Sequence, residues 1–209
     1  MKKLLVEFIG TFFLTVTVAT AGVLGTAGPM APFAIASVLM VMIYAGGHVS
    51  GGHYNPAVSL AVFLRGRSTA NEFGSYVLAQ LVAGALAVFV AKALVPAAPA
   101  IEPLKLISTP TVIAELLFTF ALAWVVLNVA TAKATAGNSN YGLAIGFTVL
   151  VGAFTVGGIS GGAFNPAVST MLMVIGKLPI ADCWMHFLPQ ILGATSAAYL
   201  FKTTHPEDV

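Results

Sequence analysis

The sequence predicts an all-α membrane protein of six transmembrane helices plus two re-entrant half-helices, arranged as an inverted repeat. Three observations carry that prediction. The chain is far more apolar than a soluble domain, with 58% hydrophobic and 8% charged residues among 209 and a mean hydropathy of +0.97. Six stretches of roughly 20 residues, the length that crosses a hydrocarbon core of about 30 Å, are almost free of charge. Lastly, the pattern SGGHYNPAVSL, from Ser50, returns as SGGAFNPAVST, from Ser160.

The six spans are expected near Leu4–Leu24, Pro29–Gly47, Phe73–Val95, Val112–Ala132, Tyr141–Gly157 and Leu178–Phe201. A β-barrel would instead show alternating segments of about ten residues. The opening MKKLL resembles a signal-peptide start, but its apolar run is long, contains Glu7 and leads straight into further spans, so it is read as a retained first helix. Placing the N-terminus inside makes Lys2, Lys3, Arg65, Arg67, Lys133 and Lys202 cytoplasmic, against Lys92, Lys105 and Lys177 outside. That is the expected positive-inside bias, and the expectation is a plasma (inner) membrane protein with both termini cytoplasmic. The net charge of +2 and the lack of a basic cluster interleaved with aromatics give no argument for nucleic acid. The single cysteine, Cys183, excludes an internal disulfide.

Aligning the halves gives the domain organisation. Asn55 matches Asn165 and Gln80 matches Gln190, both at an offset of 110, while Glu7 in VEFIGTF matches Glu115 in AELLFTF at 108. Residues 1–104 form the first repeat and 105–209 the second, with the seam in the Pro- and Ala-rich stretch from Pro96 to Pro103. Three spans per half is an odd number, so the second half enters from the opposite face and the repeats are inverted. Each half also holds an apolar segment too short to span, 55–64 and 165–175. Ten helical residues reach about 15 Å, half of the bilayer core.

Asn is a favoured N-cap, and Pro suits the first helical position, where its missing N–H costs nothing. Asn55-Pro56-Ala57 and Asn165-Pro166-Ala167 therefore mark two helix starts that meet near the midplane, both positive dipole ends pointing at one place. The asparagine oxygens cap, leaving their NH2 groups as donors toward a lumen. Non-helical backbone at membrane depth is tolerated where it lines a wet cavity. Gly51, Gly52, His53 and Tyr54, with Gly161, Gly162, Ala163 and Phe164, would present carbonyl acceptors along two halves of one path. Acceptors along the walls and donors at the centre suit a file of small neutral molecules and oppose cations.

Together with ExxGT (Glu7, Gly10, Thr11), GHVSGGHYNPAVS and GGAFNPAVS resemble the motifs of the major intrinsic protein family, the aquaporins and glycerol facilitators, over essentially the whole chain. The resemblance implies an hourglass fold and a homotetramer with a pore in each subunit. It also implies a second constriction, whose positions carry over to Ile35, Ala153, Gly162 and Val168. Water-selective members typically have an aromatic, a His, a small residue and an Arg there; this chain has Ala153 at the His position and Val168 at the Arg position. Losing Arg removes a fixed charge and several donors from the narrowest region. Against a glycerol facilitator, the family's Asp soon after the second motif is missing, Ser169 and Thr170 standing there. The expectation is a passive channel for water and small neutral solutes such as ammonia, hydrogen peroxide, urea and glycerol. A stricter water channel is the alternative, and an intramembrane enzyme using Ser50 with His48 or His53 a weaker one, since Ser50 recurs as Ser160 with no His nearby.

The remaining polar residues have structural and functional readings. Glu7 and Glu115 are expected to hold the loop backbones through N–H bonds, with Gln80, Gln190 and His48 bracing the same scaffold and proton relay or pH gating as the alternatives. No cofactor motif is present, and His48 with His53 does not make a metal site. Gly142 and Gly146 form a small-xxx-small pair for helix packing. Arg65 and Arg67 read as helix-end and topology charges, and Cys183 has no assigned role.

Overall fold

The computed structural model describes residues 1–208. It contains α1 (Lys2–Thr17), α2 (Ala31–Ser50), α3 (Pro56–Leu64), α4 (Ala70–Leu94), α5 (Ser108–Thr131), α6 (Tyr141–Ser160), α7 (Pro166–Ile175) and α8 (Trp184–Thr204). Five helical stretches are long and apolar enough to cross a membrane: Lys2–Val23, Gly28–Ser50, Ala70–Leu94, Ser108–Thr131 and Tyr141–Ser160. The sixth span, α8, is equally long at 21 residues but less apolar, because its inner face carries His186 and Gln190, both fully buried. It starts six residues later than expected, after Pro179 and a short 3-10 turn at Ile180–Asp182.

The first span changes character half-way. After Thr17 the backbone widens into a π-helical stretch, Val18–Val23. Thr15, Thr17 and Thr20 each donate a hydroxyl to a carbonyl four residues back, 2.7–2.8 Å away. Threonine back-bonding of this kind competes with the regular ladder, and π-turns of this kind often lie at functional sites.

α3 and α7 are the half-helices. With nine and ten residues they are about 14–15 Å long. α3 packs on α4, α5 and α8, and α7 on α4 and α8, so each half-helix is held by the long helices of both halves. Glycines permit the closest of these approaches. A Cβ on Gly84 would lie 2.5 Å from the Ala167 carbonyl oxygen, and one on Gly193 would lie 2.6 Å from that of Leu116. Gly146 sits against the Ala36 carbonyl and Gly142 against the Tyr44 ring, which lets α6 close on α2.

Both described termini lie on one face. Lys3 Nζ donates to Glu72 Oε1 at 2.7 Å at the start of α4. The C-terminal tail is latched more deeply: Arg65, at the end of α3, is 1% exposed in its side chain and lies 3.5 Å from Asp208 Oδ2. Its guanidinium also donates to Thr131 Oγ1, Thr131 O and Asp208 O, and stacks over the Phe201 ring at 4.8 Å. Arg65 is thus a buried tie between two loops and the tail rather than a surface charge, whereas Arg67 is exposed.

Candidate functional site: a lumen between two half-helices

The centre is built from two caps. Asn55 is extended (φ −158°) and its Oδ1 accepts from Ala57 N at 2.8 Å and Val58 N at 3.4 Å; Asn165 (φ −157°) accepts from Ala167 N at 2.9 Å. Each amide then reaches across the pseudo-two-fold. Asn55 Nδ2 donates to Phe164 O, and Asn165 Nδ2 to Tyr54 O, both at 2.9 Å. Each NH2 has two hydrogens, so one is committed to the opposite loop and the other faces the lumen that both asparagines border.

Tyr54 and Phe164 correct the expectation for the carbonyl path. Neither borders the inner lumen or the wide mouth; both are 1% exposed and their carbonyls accept the opposing asparagine. They adopt positive φ, +48° and +49°, a strained region for aromatics. Their surroundings hold them there: the Tyr54 ring fits where Gly10 and Gly46 lack side chains and its hydroxyl donates to Met42 O, while the Phe164 ring lies against Gly152 and Phe118. Gly52, His53, Gly161, Gly162 and Ala163 border the inner lumen, and Gly51 borders the wider mouth. At Gly52 and Gly162 φ is +63° and +62°, and an added Cβ would approach the Cα of Gly47 or Gly157 at 3.3 Å, so glycine is required twice over.

Behind each loop stands a carboxylate with all its acceptor sites met. Glu7 Oε1 accepts from Ser50 Oγ (2.6 Å) and His53 N (2.9 Å), and Oε2 from Tyr54 N (2.7 Å) and Gln80 Nε2 (2.9 Å). Glu115 repeats the set with Ser160 Oγ (2.7 Å), Ala163 N (3.1 Å), Phe164 N (2.8 Å) and Gln190 Nε2 (2.8 Å). Gln80 and Gln190 also donate to Ser59 and Ser169, in the first turn of each half-helix. His48 stands apart: it is exposed in the wall of the wide mouth, in the last turn of α2, and no hydrogen bond ties it to this network among the described residues. The scaffold role expected for His48 is therefore withdrawn. Ser50 donates to Glu7 and accepts Gly52 N at 3.1 Å, so its hydroxyl is occupied by the scaffold.

Two spaces result, with His53 in the wall of both. A mouth of about 570 Å³ opens on the face of the termini, lined among others by His48, His53, Arg67, Glu72 and Asn138. The inner lumen is about 70 Å³ and is bordered by Asn55, Asn165 and all four of Ile35, Ala153, Gly162 and Val168. Among the described residues, no Asp, Glu, Lys or Arg borders it. Sequence reasoning missed its apolar wall, including Leu14, Val18, Leu39, Val58, Leu122 and Val149. Helices apolar on every side carry no signal for which face turns inward. Among the described residues, no group of three or more His, Cys, Asp or Glu is placed to hold a metal.

The family's sequence profile, described as major intrinsic protein, matches residues 1–155 and 111–208, two overlapping stretches that cover essentially the whole chain. The chain belongs to the major intrinsic protein family. Among curated relatives, it is 32% identical over 219 residues to "Glycerol uptake facilitator protein-like 6" of Lactiplantibacillus plantarum, covering 100% of both chains. It is 30% identical over 214 residues to "Aquaporin NIP1-1" of Zea mays, covering 97% of this chain and 74% of that one. The fold superposes on the aquaglyceroporin from Plasmodium falciparum with a TM-score of 0.82 at 22% identity, covering 99% and 97% of the two chains. This member of the family is a multi-pass membrane channel for water and small solutes, not an enzyme.

Proposed function

We propose that this channel passes small neutral solutes, among them ammonia, hydrogen peroxide, urea and glycerol, alongside water. Its filter is wide and free of arginine, formed by Ile35, Ala153, Gly162 and Val168. The observation that carries the reading is Val168: these four residues border one lumen with Asn165, and not one of them offers a charge or a side-chain hydrogen-bond donor. A solute with an apolar edge therefore loses less on entering here than in a lumen lined by a guanidinium, whose hydration must be matched. The NH2 groups of Asn55 and Asn165 stand in the centre at the positive ends of α3 and α7, which favours neutral acceptors and opposes cations.

The same reading takes Gly51, Gly52, His53, Gly161 and Ala163 as the acceptor-bearing walls and Glu7, Glu115, Gln80 and Gln190 as the frame that fixes them. It places the protein in a plasma or bacterial inner membrane with both termini cytoplasmic, on the bias of six basic residues against three. Four copies assemble with a pore in each, the apolar outer residues such as Leu86, Phe89, Leu117 and Phe147 facing lipid or neighbouring subunits.

Purified protein in vesicles, followed by light scattering under gradients of sucrose, glycerol, urea and ammonium salts, tests this reading. Solute entry well above that of empty vesicles is expected. Fast water flux with solute entry no faster than in empty vesicles contradicts it and favours a strict water channel.

A further inference from the structure

The offset of 110 pairs Tyr76 with His186 and His53 with Ala163, and these two pairs are where the otherwise matching loop frames diverge. In the first half the imidazole comes from the loop: His53 Nδ1 pairs with Ser59 Oγ at 3.1 Å, its ring meets Tyr76 edge-on at 5.2 Å, and Tyr76 donates its hydroxyl to Ser50 O at 2.8 Å. In the second half the loop contributes only the methyl of Ala163. The imidazole comes from α8 instead, where His186 Nδ1 pairs with Ser169 Oγ at 3.3 Å. Ser59 and Ser169 are equivalent, each also receiving Gln80 or Gln190. Both halves thus give the first turn of the half-helix an imidazole partner, delivered from different elements.

The delivery differs in what it leaves at the wall. His53 borders both the mouth and the inner lumen, while His186 is fully buried and borders neither. Ala163 takes His53's place along the lumen. His186 forms no well-aligned hydrogen bond through Nε2 among the described residues, although the backbone of Ser160, counterpart of the Ser50 carbonyl that Tyr76 reaches, lies beside its ring.

We propose that Ala163 and His186 form a specificity-determining pair: moving the imidazole that anchors Ser169 from the loop to α8 clears the pore wall and widens the passage for solutes larger than water. This builds on the wide-filter reading. The space opened is the volume of one imidazole beside Gly162 and Val168, and nothing polar replaces it. His186 acts as a positioning residue and Ala163 as the group the solute meets.

The test is a cycle of Ala163→His, His186→Tyr and the double variant, read by melting of the purified protein and by glycerol and water flux in vesicles. Each single change is expected to lower the melting temperature, the first because two imidazoles compete for Ser169 and the second because Ser169 loses its ring. The double variant rebuilds the arrangement of the first half, recovers most of that loss, and lowers the glycerol-to-water flux ratio about tenfold, the scale on which one added group in a fitted pocket discriminates. The mirror cycle, His53→Ala with Tyr76→His, is expected to show the same recovery in melting. Additive losses in both cycles, or an unchanged flux ratio in a folded double variant, overturn the proposal. Should the wild-type protein pass no glycerol, the wide-filter reading fails, while the melting cycles still decide whether the two positions are coupled.

Discussion

The two halves are alike at the centre of the membrane and unlike at its faces. Around the midplane, the exchange of His53 and Tyr76 for Ala163 and His186 apart, the repeat is close to exact in chemistry: an asparagine cap, a cross-brace of 2.9 Å, a positive-φ aromatic and a carboxylate accepting four bonds occur in each. Toward the faces they part. α3 ends at Arg65, which is buried and tied to the C-terminal tail, whereas α7 ends at Gly176 with φ +92° and no buried cation. On the side of the termini the lumen widens to about 570 Å³, walled in part by the loop from Lys133 to Tyr141. The difference teaches that inverted symmetry is needed where two dipole ends must meet. The mouths are free to specialise.

The sharpest way to break the comparison is at the carboxylates. Glu7→Gln and Glu115→Gln each turn an NH2 toward two donors, and orphaning two buried donors costs about 2–6 kcal/mol. We expect both variants to lose folded protein in detergent melts by similar amounts. A large loss for one and none for the other would show that the halves do not share a frame.

Smaller effects are expected at Gly52 and Gly162. Alanine at either site must hold a left-handed backbone at a cost of about 1–2 kcal/mol, and its Cβ presses on Gly47 or Gly157. Matched falls in melting temperature are expected, with lower water flux from both variants. A tolerated alanine at one site would mean that its loop can move.

The smallest effect sits where only one half has a counterpart. The Lys133 backbone N–H, donating to Asp208 at 2.8 Å, with the Lys133 and Arg65 charges beside it, holds the Asp208 carboxyl below its ordinary value of 3.8. A depressed folded value means that the latch contributes fully above the unfolded value and is lost as pH falls through the folded one. Asp208→Asn should therefore melt slightly below wild type at neutral pH, with the two curves merging below about pH 4. No gap at neutral pH would show that the tail is held by the Arg65 bond to the Asp208 backbone carbonyl, which the variant keeps, rather than by charge.

Much of this architecture was legible in the sequence, because the repeated SGG and NPAVS each report a physical necessity. Glycine is needed for φ near +60° beside a packed helix, Asn for a cap with a spare NH2, and Pro for a first turn that needs no N–H. What stayed hidden depends on facing. Arg65 reads as a surface charge until Thr131, Phe201 and Asp208 converge on it from distant segments. The π-turn at Val18, the lumen's apolar wall and the trade of His53 for His186 leave no local pattern, although the offset of 110 applied to Tyr76 would have pointed to His186. His48 misled for the opposite reason: its closeness in sequence to the loop suggested a bond, but it is exposed in the wall of the mouth.

The central claim is that an apolar Val168 in the inner lumen admits solutes an arginine would exclude, and flux through Val168→Arg in vesicles tests it most directly. The account predicts that glycerol and urea flux fall about tenfold relative to water, water itself changing much less. A solute-to-water ratio unchanged from wild type, in protein that folds and still conducts water, would contradict it, because Val168 would then not stand where the solute must pass.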